Sequence, residues 1–349
     1  MGDHVKRPEN AAISALRWEE PPDGPMLVVL DQTRLPLEEV ELVCTDVQAL
    51  VAAIGSLAVR GAPLLGLAGA YGVALAAARG YDVEEAAELL ARARPTAVNL
   101  AYGVQRALTA YRRAEPEEAA LAALAEARTL HAQDASASEA MAAHGVRLLS
   151  ELVPGGGYRV LTHCNTGALV SGGQGTAFGV VSSLHRAGEL RRLWVDETRP
   201  LLQGSRLTAY EAARAGMPYT LLADNAAGSL FTAGEVDAVL VGADRIAADG
   251  ATANKVGTYP LAVVARYHHV PFIVVAPTTT VDLATPDGAS IEVEQRASSE
   301  VTDLAPSPLG TQAYNPAFDV TPPELITAIV TENGVVSPVT AQALAAVCR

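Results

Sequence analysis

The sequence predicts an α/β protein: a Rossmann-like, doubly wound parallel sheet in the C-terminal part, after a smaller, mainly helical N-terminal domain carrying a short β-hairpin. Three observations predict it. Helical spacing of apolar residues dominates the first half, the turn Pro154-Gly155-Gly156-Gly157 interrupts the chain, and short apolar runs then alternate with helix-length segments. Domains are expected over 1–153 and 154–349. With 349 residues, the chain can support two cores of ordinary size.

LRW (16–18) and MLVVLDQTRLP (26–36) flank Pro21-Pro22-Asp23-Gly24, whose turn chemistry predicts a hairpin within 17–36. Helices are expected over 46–58, 63–79, 83–93 and 97–113. A long Ala- and Glu-rich helix over 117–153 follows, with a break expected near 133–136. The uncharged run GAPLLGLAGAYGVALAAA between Arg60 and Arg79 has the length of a marginal membrane span. Its glycines and alanines contribute little transfer energy, so it reads as a buried helix packed through small residues. In the C-terminal part, strands are expected at 158–162, 192–196, 219–223, 236–241 and 271–276. Helices are expected from Gln174, Ser205, Asn225 and Asn254.

Hydrophobic content of 50% with 18% charged residues describes a globular chain and excludes extended disorder. The formal net charge of −14 repels nucleic acid and anionic lipid. Neither is expected as a partner, and a phosphate ligand must be caught by a few local cations in a small-molecule pocket. Three separated cysteines, Cys44, Cys164 and Cys348, with no CxxC pair, argue against a disulfide scaffold or structural zinc and for a reducing cytoplasm. The N-terminus shows no apolar signal core, and Lys6 stands where myristoylation wants Ser or Thr.

In a doubly wound sheet, ligands bind beyond the carboxyl ends of the strands. Those ends read His163-Cys164-Asn165, Asp196-Glu197-Thr198, Asp224-Asn225 and Asp244-Arg245. In VGADRIAADGATANKVGTY (241–259), a strand delivers Asp244 and a helix start is expected near Asn254 and Lys255, an arrangement suited to a phosphorylated substrate. Taken alone, Asp244 serves equally well as a turn cap. Cys164 precedes a Gly-rich passage, where a thiol of lowered pKa can act as base or nucleophile; by itself it reads as an inert buried thiol, as do Cys44 and Cys348. Gly173, Gly175 and the later Asp196 mimic a dinucleotide fingerprint, but Phe178 replaces the third glycine, leaving a nicotinamide dehydrogenase as a competing reading. RGAP (60–63) and Arg94-Pro95-Thr96 suit anion clamps, with structural salt bridges as the default. His163, His268 and His269 show no ligand spacing with acidic partners, so no metal site is expected.

Together, LRW, LDQTRLP, AVRGAP, RPTAVNL, LTHCNTGAL, DETRPLLQGSRLTAYE, DNAAG, VGADRIAADGATANKVGTY and NPAFDVTPPELI span nearly the whole chain. In these blocks the sequence resembles the methylthioribose-1-phosphate isomerase family, within the superfamily that also holds regulatory subunits of a translation-factor exchange complex. The resemblance implies a catalytic pair at Cys164 and Asp244. It implies substrate binding by Arg60, Gly61, Ala62, Arg94, Gln203, Asn254 and Lys255, a phosphosugar substrate, no metal or organic cofactor, and a homodimer. Two segments depart: IEVEQR (291–296) where the family reads IPIEER, and ADGA (248–251) where it reads ANGD. They bear on loop conformation and substrate preference. Ribose-1,5-bisphosphate or 5-deoxyribose-1-phosphate isomerase and a non-catalytic regulatory role remain alternatives.

Overall fold

The computed structural model describes residues 13–94, 97–304 and 307–348. The segment read for signal and acylation motifs, and Pro95 and Thr96 of the second clamp, lie outside them. By packing, the chain divides into Met1–Ser138 with Ala168–Gly175, and Glu139–Gly167 with Thr176–Arg349. The expected boundary at 153/154 follows the end of a long helix, whereas the division by packing falls within that helix.

In the first unit, β1 (Leu16–Glu19), β2 (Met26–Leu30) and β3 (Glu41–Cys44) form an antiparallel sheet in that order. The expected hairpin therefore gains a third strand. Its charged residue hid it: Glu41 takes Arg17 Nη1 and Nη2 across the sheet at 2.6 and 2.7 Å. The helices α1 (Val47–Gly55), α2 (Ala62–Arg79), α3 (Val83–Arg92) and α4 (Val98–Arg113) follow. Asp46 caps α1 by accepting from Ala49 N, and Asp82 caps α3 by accepting from Glu84 N and Glu85 N.

By length and composition, α2 could cross a membrane, with a mean hydropathy of 1.3, but 72% of it is buried inside the protein. Small residues allow that burial, as the sequence predicts. A Cβ on Gly103 of α4 would stand only 1.9 Å from the Gly66 carbonyl oxygen of α2, so the two backbones touch directly.

The long helix α5 (Ala119–Leu152) has 34 residues and runs through the expected break at 133–136. Polar residues there are used for tertiary bonds rather than a turn: Asp134 accepts from Ser171 Oγ at 2.7 Å and from Gly172 N at 2.6 Å.

The second unit holds β4 (Tyr158–Thr162), α6 (Ala177–Arg186), β5 (Leu190–Asp196), α7 (Ala209–Arg214), β6 (Tyr219–Leu222), α8 (Ala227–Thr232) and β7 (Ala238–Val241). Next come β8 (Arg245–Ala247), β9 (Thr252–Lys255), α9 (Thr258–Tyr267), β10 (Phe272–Val275) and β11 (Val281–Asp282). The chain ends with α10 (Ser299–Thr302), β12 (Phe318–Thr321), β13 (Ala328–Thr331), β14 (Gly334–Val336) and α11 (Ala341–Val347). All five expected strands form. They share a seven-stranded sheet ordered β14-β13-β10-β7-β4-β5-β6, parallel except for β14. A second sheet, β11-β8-β9-β12, went unread in the sequence.

One reading is corrected here. Asn254 and Lys255 do not open a helix; they close β9, paired with Asp319 and Phe318 of β12. The helix α9 starts at Thr258, behind Gly257. The other expected helix starts shift by a few residues, the Ser205 helix beginning as a π-turn over Gly204–Thr208.

Candidate active site

Strands β4 and β7 are parallel neighbours, with Thr162 opposite Leu240. From β4 the chain steps outward through β5 and β6, then returns to the other side with β7, β10 and β13. The sheet order reverses between β4 and β7, where carboxyl-end crevices form. His163 and Cys164 extend β4 at this point, and Gly242-Ala243-Asp244 extend β7. Neighbouring strands run about 4.8 Å apart, so the two predicted catalytic residues leave adjacent strand tips.

Cys164 is 6% exposed and holds φ +64, a left-handed conformation unusual for a side chain. Its backbone is fixed on both sides: its N–H donates to Thr198 Oγ1 at 2.9 Å, and its carbonyl accepts from Thr208 Oγ1 at 2.6 Å. Thr198 is itself at φ +64 and donates N–H to Asp224 Oδ1 at 2.7 Å. Such conformations cost about 1–3 kcal/mol each and persist where the surroundings over-determine them.

Asp244 is half-buried and donates its N–H to Ala253 O at 2.9 Å, which lays it beside β9. In the β8–β9 pairing Arg245 lies opposite Ala253, the residue before Asn254. Asn254 and Lys255 are buried; Asn254 Nδ2 donates to Thr258 Oγ1 at 3.0 Å, and Lys255 Nζ sits 5.2 Å from the Phe318 ring centroid. Gln203 is buried, and its Oε1 has no hydrogen-bond partner among the described residues. The structure thus gathers Cys164, Asp244, Asn254 and Lys255 around one end of the sheet, with Gln203 on the Thr198 loop.

The anion site expected at a helix start beside Lys255 is not available. Asp319 accepts from Gly257 N at 2.7 Å and Tyr259 N at 3.0 Å, so a carboxylate of the chain already occupies the first amides of α9.

The remaining predicted residues lie in the first unit. Arg60 is buried, Gly61 has φ +94 with Val170 against the place of a Cβ, and Ala62 begins α2, whose first turn no side chain caps. Arg94 is half-buried just before α4.

Sequence reading found no acidic partner for His163, and the structure supplies one. His163 Nδ1 lies 2.9 Å from Asp196 Oδ2, with both side chains 1% exposed, and Nε2 lies 2.9 Å from the Val256 carbonyl. The signal was invisible because the two residues meet through neighbouring strands β4 and β5, not through sequence spacing. Burial opposes protonation of His163, yet its hydrogen bond to Asp196 and the Asp196 charge hold its pKa above the ordinary value. Burial likewise pushes the Asp196 carboxyl up, against the pull of His163. A carbonyl can only accept, so Nε2 carries a proton toward Val256, while Nδ1 and Asp196 Oδ2 are hydrogen-bonded to each other.

With Asp224, these residues bring three ligand atoms within 4.8 Å of one another. Their bonding does not suit a metal. Both ring nitrogens are engaged, and the Asp224 oxygens accept from Thr198 N and Arg199 N, each at 2.7 Å. Only Asp196 Oδ1 has no partner. The dinucleotide reading also loses its acidic residue, because Asp196 faces His163 in the interior. Cys44 fits its inert reading: burial pushes its thiol up to about 11.

Fold and site together define an α/β protein in which the candidate residues Cys164 and Asp244 leave adjacent strand tips where a parallel sheet reverses its strand order. The family follows from comparison: residues 58–338 match the Initiation factor 2 subunit family, and the chain belongs to it. It is 48% identical over 341 residues to the methylthioribose-1-phosphate isomerase of Pelotomaculum thermopropionicum, covering 93% of this chain and 92% of that protein. It is similar to the crystal structure of 5-methylthioribose 1-phosphate isomerase from Pyrococcus horikoshii OT3, with a TM-score of 0.87, 36% identity and 99% of both chains covered. It is also similar to translation initiation factor eIF-2B, subunit delta, from A. fulgidus, with a TM-score of 0.81 and 41% identity over 96% of this chain and 100% of that one.

Proposed function

We propose that this chain is an aldose–ketose isomerase that converts 5-methylthioribose 1-phosphate into 5-methylthioribulose 1-phosphate in methionine salvage. The observation that carries the reading is the 48% identity over 93% of the chain to a protein named for that activity. Its larger sheet is read as Rossmann-like: counted from β4, the parallel strands run third, second, first, fourth, fifth, sixth. A cytoplasmic homodimer with domains at 1–153 and 154–349 belongs to the same proposal, and sedimentation of the pure protein tests the dimer.

Cys164 and Asp244 are the proposed catalytic pair, and their adjacent strand tips support the assignment. A 1-phosphate blocks the anomeric carbon, so the ring cannot open as a free sugar does. Asp244 gives a proton to the ring oxygen as the C1–O bond breaks, leaving an electron-deficient C1. By one route, the Cys164 thiolate takes the C2 proton to form an enol phosphate; Asp244 then takes the enol proton while the thiol returns a proton to C1. By the other, hydride moves from C2 to C1 and Asp244 takes the C2 hydroxyl proton. Either route moves hydrogen within one molecule and regenerates both groups, so no redox cofactor is consumed. Gln203, Asn254 and Lys255, with Arg60, Gly61, Ala62 and Arg94, are the proposed substrate-binding positions.

Purified protein mixed with methylthioribose 1-phosphate should give the ketose signal by NMR. Substrate deuterated at C2 separates the routes, since full retention at C1 in water excludes a freely exchanging proton. Turnover of ribose 1,5-bisphosphate or 5-deoxyribose 1-phosphate alone would move the substrate assignment. Turnover of none would favour a second reading, a regulatory-subunit-like protein, which the 41% identity to the A. fulgidus subunit supports.

A further inference from the structure

The Val256–Gly257 peptide unit lies between the strand that carries Lys255 and the start of α9. Its carbonyl, at Val256, accepts from His163 Nε2 at 2.9 Å, and its N–H, at Gly257, donates to Asp319 Oδ2 at 2.7 Å. The peptide is therefore held at both ends, by the half-buried Asp319 of β12 and by the buried His163 at the tip of β4. Gly257 has φ +106, and a Cβ there would stand 2.7 Å from His163 Cε1, so the imidazole packs directly on the turn. On its other side the ring meets Asp196, whose backbone oxygen accepts from Thr198 Oγ1 at 3.1 Å. The same Thr198 hydroxyl oxygen receives the Cys164 N–H.

We infer that His163 and Asp196 are positioning residues, a buried strut that holds the Lys255–Gly257 turn in fixed register with Cys164. The inference rests on the reading above, in which Cys164 does chemistry and Asn254 and Lys255 bind substrate. The strut reaches the site only through main chain: His163 precedes Cys164 directly and grips the residue after Lys255. Asp196 keeps a hydrogen-bonding partner on Nδ1, so that Nε2 always presents its proton to Val256. Among the described residues no group donates to Asp196 Oδ1, and Oδ2 is bonded to the ring, so the carboxyl depends on the ring as the ring depends on it.

The chemistry of side-chain amides offers a direct test. In H163Q, the glutamine nitrogen reaches the place of Nε2 and preserves the donation to Val256; in H163N, the shorter amide reaches only the place of Nδ1. D196N keeps a partner for Nδ1, and D196A removes it. A small displacement of positioned groups costs about a hundredfold, so H163N and D196A should lower kcat by about that factor. Their KM should move by less than about threefold, because the groups remain present but misplaced. H163Q and D196N should stay within about tenfold of the parent in kcat.

Amide exchange at Gly257 should accelerate in H163N and D196A by more than their global destabilisation accounts for, and stay slow in H163Q. Equal turnover in H163N and H163Q, or unchanged exchange at Gly257 in H163N, overturns the strut. If H163N does not fold, the D196N and D196A pair makes the same comparison. If the parent protein isomerises none of the three phosphosugars, the functional reading fails, and exchange at Gly257 still decides the strut by itself.

Discussion

The two ends of the β4–β7 strand pair are equally polar but differ in what their polar groups are bonded to. At the amino end, Asp237 Oδ2 accepts from Arg159 N and Nε at 2.7 and 3.0 Å, and Oδ1 accepts from Nη2 at 2.6 Å. Asp237 N donates to Arg159 O, and Arg159 Nη1 reaches Glu235 at 3.1 Å. Both oxygens of Asp237 are bonded there, and neither Arg159 nor Asp237 has a positive φ. At the carboxyl end, Cys164 and Thr198 are held at positive φ, and Asp196 Oδ1 and Gln203 Oε1 lack partners. A strand end whose hydrogen-bonding capacity is filled contributes stability; one with strained backbone and unfilled capacity is where a ligand would complete the structure.

Substitutions at the two ends should separate turnover from stability. Cys164→Ser and Asp244→Asn should each lower turnover by about a hundred- to ten-thousandfold while the melting temperature holds, as measured by NMR assay and calorimetry. Near-normal rates in both would retire the catalytic pair. Asp237→Asn should do the reverse, removing about 1–3 kcal/mol of stability in chemical denaturation while turnover per folded molecule stays at the parent level. A large loss of turnover in that variant would erase the distinction between the ends.

Acid sharpens the contrast further. Burial opposes ionisation of Asp237, but its Arg159 hydrogen bonds and the Arg159 charge hold its carboxyl below the usual range. A depressed carboxylate stabilises the fold above its unfolded pKa of about 3.9, and that contribution fades as pH falls through the lower folded value. The stability gap between the parent and Asp237→Asn should therefore narrow below about pH 4 in denaturation at stepped pH. A gap that widens in acid contradicts the sign. The smallest effect is expected from chelation: exhaustive dialysis against EDTA should leave turnover unchanged, whereas a loss of about tenfold or more would make the His163, Asp196 and Asp224 cluster a metal centre.

The strand tips were legible because local sequence writes them: apolar runs ending in His163-Cys164-Asn165 and Asp244-Arg245 name both the strand and the residue it delivers. Non-local pairing was not legible. Thr252–Lys255 pairs with the nearby β8 through Thr252 and Ala253, but Asn254 and Lys255 pair with β12, far along the chain, where the local pattern predicts a helix start. His163 was set aside because its acid arrives from β5 by strand adjacency, which spacing along one chain does not express. The break that the sequence predicts around Asp134 does not form for a related reason, since its partners at Ser171 and Gly172 belong to a loop, not to its own helix.

Asp319 has a consequence for how this protein can hold an anion. The ten-residue α9 projects partial positive charge from its first amides, the usual lure for phosphate, yet the Asp319 carboxylate of β12 accepts from Gly257 N and Tyr259 N. The chain has supplied its own counter-ion. A phosphoryl group arriving at a surface of net charge −14 must then be neutralised by guanidinium and ammonium groups one at a time. Its affinity is expected to weaken steeply as added salt screens those few cations.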